Sequence, residues 1–133
     1  MNQAAIARNI SLKRIYEPAS AEDGTRILVD RLWPRGITEA EAKLDGWFRE
    51  ITPSSGLRAW FGHDPKRWAE FSDRYRAELA EHSDALGELR RQARRGPITL
   101  LYAAKDKDHS HAIVLRKVLL EGMTSARACS HDR

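Results

Sequence analysis

Apolar and polar residues alternate from Ile10 to Tyr16, the period-two pattern of a strand with one face partly exposed. Glu17-Pro18 ends that pattern, and Asp23-Gly24 turns the chain. Arg26-Ile27-Leu28-Val29-Asp30 follows as a β-branched apolar run, the kind buried on both faces of a parallel sheet. Pro34 cannot donate to a strand ladder, so Leu32 to Gly36 leaves the sheet. Thr38 and Glu41 have capping-box spacing, with Ile37 in the staple position. Leu44, Trp47, Phe48 and Ile51 continue at helical intervals to the stop at Pro53, so the spacing predicts a helix over 38–51. A short helix is expected from Ser55 to Phe61, ended by Gly62. Asp64 then caps a new helix with Pro65 at its first position. Trp68, Phe71, Tyr75 and Leu79 form its apolar stripe. A further helix over 83–95 buries Leu86 and Leu89 and is closed by Gly96-Pro97. Ile98 to Ala104 is the longest apolar run and reads as a central strand. Lys105 to Asp108 turns into a last helix from about His109 to Glu121, which buries Ala112, Leu115, Val118 and Leu119 and stops at Gly122.

The order, roughly β-β-α-α-α-β-α, predicts an α/β fold in which a small, mostly parallel sheet is flanked by helices. A length of 133 residues fits one domain over 1–133, with its core at about 11–121 and flexible ends at 1–9 and 122–133. An apolar share of 41% beside 32% charged residues is ordinary for a globular chain and excludes a disordered one. The longest apolar run is far short of the roughly 20 residues a membrane span needs, so no membrane partner is expected. Met1 to Ile10 lacks a signal-peptide pattern, and the single cysteine, Cys129, cannot form an internal disulfide. The cytoplasm is the expected location. A net charge of +4 and a pI near 9.5 suit an anionic metabolite or a nucleic acid. The basic residues are interleaved with acidic ones, however. The Arg90-Arg91 and Arg94-Arg95 pairs end a helix, where the dipole favours cations without any nucleic acid.

Ligands of open parallel sheets bind beyond the carboxyl ends of the strands. That rule selects Asp30 to Gly36 and Lys105 to His109. Arg31, Arg35 and Lys105 are the candidate ligand-binding residues: two guanidinium forks and a point charge near a helix N-terminus suit phosphate or carboxylate. Asp30, Asp106 and His109 are the candidates for proton transfer, joined by His63 in the tight turn between two helices. Trp33 is the tryptophan best placed to wall a pocket. His109 and His111 are two apart on the expected helix, so their side chains diverge and no metal site is expected. There is no Gly-rich phosphate loop and no Gly-x-Ser-x-Gly elbow, and no cofactor is specified. The same residues also fit structural roles, with Asp30 pairing to Arg31, Arg35 or Lys105 and Asp108 serving as an N-cap.

Three segments together are distinctive: Ile27-Leu-Val-Asp-Arg-Leu-Trp-Pro-Arg-Gly36, Trp60-Phe-Gly-His-Asp-Pro-Lys-Arg-Trp68 and Leu100-Leu-Tyr-Ala-Ala-Lys-Asp-Lys-Asp-His109. In order and spacing they resemble the YeaO-like family, a bacterial domain-of-unknown-function group, over about residues 11–121. The resemblance implies that Asp30, Arg31, Arg35, His63, Asp64, Lys105, Asp106 and His109 are motif positions, but it implies no particular reaction. The wider group often carries cysteines near the turn after the last strand. This chain has Tyr102 and Ser110 there, so thiol chemistry is not expected. Nor is there a helix-turn-helix followed by a β-wing, as some regulator labels in the group would require. The expected function is binding of a small anionic ligand, a phosphate ester or nucleotide, at the carboxyl ends of the strands, with catalysis left open. A nucleic-acid-binding module and a non-catalytic interaction domain are the alternatives. The sequence specifies no oligomeric state.

Overall fold

A computed structural model of the protein describes residues 9–129; the expected leader up to residue 8 and the last four residues lie outside them. Among the described residues, β1 (Ile10–Arg14), β2 (Thr25–Leu28), β3 (Gly46–Trp47) and β4 (Ile98–Tyr102) form one sheet. The strand order is β1-β4-β2-β3, and every neighbouring pair is parallel. The fold is α/β. β4 is central, as its apolar continuity predicts, and all five of its residues are buried. The helices are α1 (Glu39–Ala42), α2 (Ser55–Phe61), α3 (Trp68–Leu79), α4 (Ser83–Arg95) and α5 (His111–Cys129). Among the described residues, no helix is long and apolar enough to cross a membrane.

Successive strand side chains point to opposite faces, and each face builds its own core. Ile27, Val29, Ile98, Leu100 and Tyr102 join Phe61, Phe71, Tyr75, Leu89 and Leu115 of the helices in the larger cluster. Leu28 and Leu101 point the other way, onto Ile15 and Ala42, with Trp33 and Trp47 at the margin. Burying one such Leu or Phe contributes about 1.5–3 kcal/mol, so the larger face supplies most of the hydrophobic drive. Beside the start of β2 lies a buried ion cluster. Lys13 Nζ donates to Asp23 at 3.0 Å and Arg26 Nη1 donates to the same carboxylate at 2.5 Å. Arg26 also donates twice to the Ala42 carbonyl, at 2.9 and 2.7 Å, and so closes α1. Burial alone would raise the Asp23 pKa. The Ser20 backbone N–H, Lys13 and Arg26 outweigh it and hold the carboxyl down at about 2.

The helix expected over 38–51 ends after one turn. Its capping box forms, with Glu41 N donating to Thr38 Oγ1 and Thr38 N donating to the Glu41 carboxylate. Lys43 then takes a left-handed backbone (φ 49). Asp45 N donates to the Arg26 carbonyl at 2.7 Å, and Gly46-Trp47 pairs with Ile27-Leu28 as β3. The apolar residues explain the difference. Leu44 and Trp47 pack on the smaller core, whereas Phe48 and Ile51 pack on the larger one. They serve two faces of a sheet, where one helix face was expected.

The last helix differs at both ends. Lys107–His109 is a 3-10 turn whose cap is Asp106, so α5 begins at His111 instead of His109. It also passes Gly122, where a stop was expected, and runs to Cys129. A helical glycine costs only about 1 kcal/mol. Here it leaves room for the Arg90 guanidinium, which a Cβ would meet at 2.0 Å. Val118, expected in the core, is half-buried. Helices α2, α3 and α4 lie where the sequence puts them, with Gly62 as the left-handed cap of α2 and Asp64 capping the turn into α3.

Candidate functional site

Because β2 and β4 run the same way, the segments that follow them emerge at one edge of the sheet. A cleft of about 660 Å³ opens between them. Asp30, Arg31 and Arg35 line it from one side, Lys105 and Asp106 from the other, and His63 from the α2–α3 turn. Six of the seven sequence candidates thus share one cleft. Trp33 is part of its wall, and Arg58 and His111, which the sequence did not single out, also line it.

The backbone of the first loop is pinned at three carbonyls. Trp47 Nε1 donates to Asp30 O at 2.6 Å, Trp33 Nε1 to Ile37 O at 2.8 Å, and the Tyr16 hydroxyl to Arg35 O at 2.8 Å. Trp33 and Trp47 meet edge-on at 5.5 Å between centroids. Arg14 holds the second loop through the carbonyls of Ala103 and Ala104, both at 3.0 Å. The cations carried by this frame are left free. Among the described residues, no carboxylate lies within 4.0 Å of the side-chain nitrogens of Arg31, Arg35, Arg58 or Lys105, and none of them makes a side-chain hydrogen bond. Asp30 therefore does not pair with Arg31, Arg35 or Lys105.

Asp30 joins the two loops instead. Ala103 N donates to its Oδ2 at 2.9 Å, and its Oδ1 lies 3.5 Å from His111 Nε2. The same imidazole nitrogen lies 2.6 Å from the Val29 carbonyl. A carbonyl only accepts, so Nε2 carries the proton and the neutral ring keeps its lone pair on Nδ1. Nδ1 has no hydrogen-bond partner among the described residues. Burial raises the Asp30 pKa against the opposing pull of His111, the Ala103 N–H and Arg58. Burial likewise lowers that of His111, with Asp30 and the Val29 carbonyl opposing. The pair is thereby biased toward its neutral forms, and Nδ1 can accept a hydrogen bond from a ligand in the cleft.

His111 was missed because the spacing argument separated the two histidines and selected His109, whereas the structure brings His111 to the cleft and His109 to the cavity beside it. His109 Nδ1 is bonded to Asp106 Oδ2 at 2.8 Å, and its ring meets Trp68 edge-on at 5.2 Å. His111 opens the helix, where side chains lean back toward the N-terminus and so toward the strand ends. That lean was the available signal. Arg58 lies exposed on α2 and nothing in its sequence context marks it. Asp106 also accepts from Asp108 N, and the bond from His109 holds its carboxyl below the usual value. His63 follows Gly62 in a left-handed backbone (φ 57), a conformation His tolerates better than most residues.

A smaller cavity of about 350 Å³ adjoins the cleft, sharing Arg58, His63 and His111 and adding His109 and Ser110. A third hollow, of about 710 Å³, carries Glu50, Glu78 and Glu81. Glu78 is occupied there by Ser54 N and Oγ, at 2.8 and 2.6 Å. Arg31, Arg49 and His82 share that lining with the three glutamates, so its charge is mixed.

Residues 9–132 match a family model described as the inactive DUF488-N3 subclade. The chain is 50% identical to the uncharacterized protein YeaO of Escherichia coli over 107 residues, which cover 80% of this chain and 93% of that protein. It is 40% identical over 110 residues to the uncharacterized proteins Mb3100c of Mycobacterium bovis and Rv3073c of Mycobacterium tuberculosis, covering 83% of this chain and 92% of each. No solved structure gives a significant match.

Proposed function

The chain belongs to the DUF488-N3i family as a YeaO-like protein, and on that premise we propose that it is a cytoplasmic domain that binds a small anionic ligand, a phosphate ester or nucleotide, in the strand-end cleft. One observation carries this reading. Arg31, Arg35 and Lys105, on loops whose backbones are pinned by Trp33, Trp47, Tyr16 and Arg14, and Arg58 on α2 line the cleft with no carboxylate among the described residues within 4.0 Å of their side-chain nitrogens. Cations lining one cleft without an ion-pair partner favour an anion there. Trp33 offers an amphipathic wall for the rest of the ligand. The description of the subclade as inactive favours binding without turnover.

A nucleic-acid role has less behind it, because several of the basic residues outside the cleft are engaged. Arg74, Arg76 and Arg91 pair with Glu70, Glu121 and Glu88. Calorimetric titration with a panel of phosphate esters and nucleotides tests the proposal. At least one should bind the wild type, and Arg35→Ala/Lys105→Ala should abolish that binding without lowering the melting temperature. Unchanged affinity in the folded double variant refutes it. A gel shift titrated upward from about 50 mM salt separates the nucleic-acid alternative, whose affinity falls steeply with salt.

A further inference from the structure

The smaller cavity contains a group that the strand-end reading leaves unused. Ser110 is 2% exposed, and its Oγ is buried without a hydrogen-bond partner among the described residues. A buried hydroxyl in that state is costly, and native proteins rarely keep one without a reason. Its position is specific. Ser110 has an extended backbone (φ −91, ψ 148) immediately before α5, in the N-cap place. A serine there ordinarily turns its oxygen onto an N–H two or three residues ahead, and this one does not. The Ile113 N–H bonds to the Ser110 carbonyl, while those of His111 and Ala112 precede any intrahelical acceptor.

Ser110 borders the cavity together with Arg58, His63, His109 and His111, and no Asp or Glu lines it. A buried hydroxyl donor, a helix N-terminus and an unpaired guanidinium around a space free of carboxylates favour an anion. The donors approach from α5 and from α2, on different sides. That arrangement suits the three terminal oxygens of a phosphoryl group better than the two of a carboxylate.

We propose that this cavity seats the phosphoryl group of a phosphate monoester, with Ser110 Oγ, the His111 N–H and Arg58 as its donors. The cavity shares Arg58, His63, Ala104 and His111 with the cleft, so the organic part of the ligand extends into the cleft toward Trp33. This inference rests on the anion-binding reading above and states which end of the site takes the charge.

The test is an amide-resolved NMR titration of the full chain with inorganic phosphate, in the wild type, Ser110→Ala and Arg58→Ala. Phosphate should move the His111 amide signal to saturation, and each substitution should weaken binding at least tenfold. Ser110→Ala should melt no lower than the wild type, because the hydroxyl it removes has no partner. If it fails to fold, Arg58→Ala, at an exposed and unpaired position, carries the test alone. Wild-type affinity in the folded variants, or unmoved α5 signals, overturns the phosphoryl seat. If phosphate then shifts Arg35 and Lys105 instead, the cleft reading survives without it; if no signal moves, both fail.

Discussion

Asp30 and His111 face each other across 3.5 Å, yet neither spends its best hydrogen bond on the other. The imidazole proton goes to the Val29 carbonyl, and the carboxylate accepts from the Ala103 N–H. The two groups couple through charge while each remains fixed to the backbone. This keeps the floor of the cleft rigid, so its response to pH is a change of charge more than of shape.

That arrangement sets a pH dependence. Burial lowers the His111 pKa from 6.5, so below about pH 6.5 the unfolded chain binds a proton that the folded chain resists. Stability should therefore fall as pH drops through that value. Asp30 acts in the opposite sense. Its raised pKa contributes stability at low pH that is lost as pH rises above the usual carboxylate range. Melting curves of the wild type and His111→Gln between pH 5 and pH 8 check this. The variant should show the flatter acid-side slope, and equal slopes would remove the assignment.

The Asp23 cluster should behave as a structural tie. Replacing Asp23 with Ala strands Arg26, which is 4% exposed, without its carboxylate; such a loss typically costs about 3 kcal/mol. With its pKa lowered from 3.8 to about 2, Asp23 stabilises the fold above about pH 4 and loses that contribution as pH falls toward 2. Urea unfolding should show the wild type and Asp23→Asn far apart at pH 5 and converging near pH 2. A constant gap would contradict the ion-pair account.

Gly122 and Arg90 form a coupled pair that a double-mutant cycle can measure. Arg90 donates to the Val118 and Leu119 carbonyls, at 3.0 and 3.2 Å, across the space a Cβ at Gly122 would fill. Gly122→Ala alone should gain nothing, because the roughly 1 kcal/mol of added helix propensity is offset by displacing the guanidinium. In an Arg90→Ala background the same substitution should stabilise by about 1 kcal/mol. Identical effects in both backgrounds would mean the two residues are independent.

The pattern of apolar residues was enough to locate β1, β2, β4 and helices α2 to α4: the helices each carry one apolar stripe, β1 alternates, and β2 and β4 are short continuous apolar runs buried on both faces. It misled over 38–51, where Leu44 and Trp47 serve one core and Phe48 and Ile51 the other. Two-residue β3 owes its existence to Arg26 and Leu28 of β2, long-range partners that local spacing does not register. The site was legible for a related reason: strand ends are defined by the strands, so Asp30, Arg31, Arg35, Lys105 and Asp106 could be placed at one edge. His111 depended on the helix starting two residues later than its pattern suggests. Ser110 owes its interest to an absent hydrogen bond, which no sequence contains.

The sheet order has a consequence for how the chain assembles. β1 and β2 are close in sequence, yet each is parallel to β4 and neither pairs with the other. Only β2 and β3 can join early, over two residues on each strand. During synthesis the amino-terminal strand must wait, with its backbone donors hydrated, until residues 98–102 arrive. Such distant pairing slows folding and leaves an open strand edge exposed in the meantime. A chain arrested before Ile98 should therefore be a substrate for chaperones, not a folded fragment.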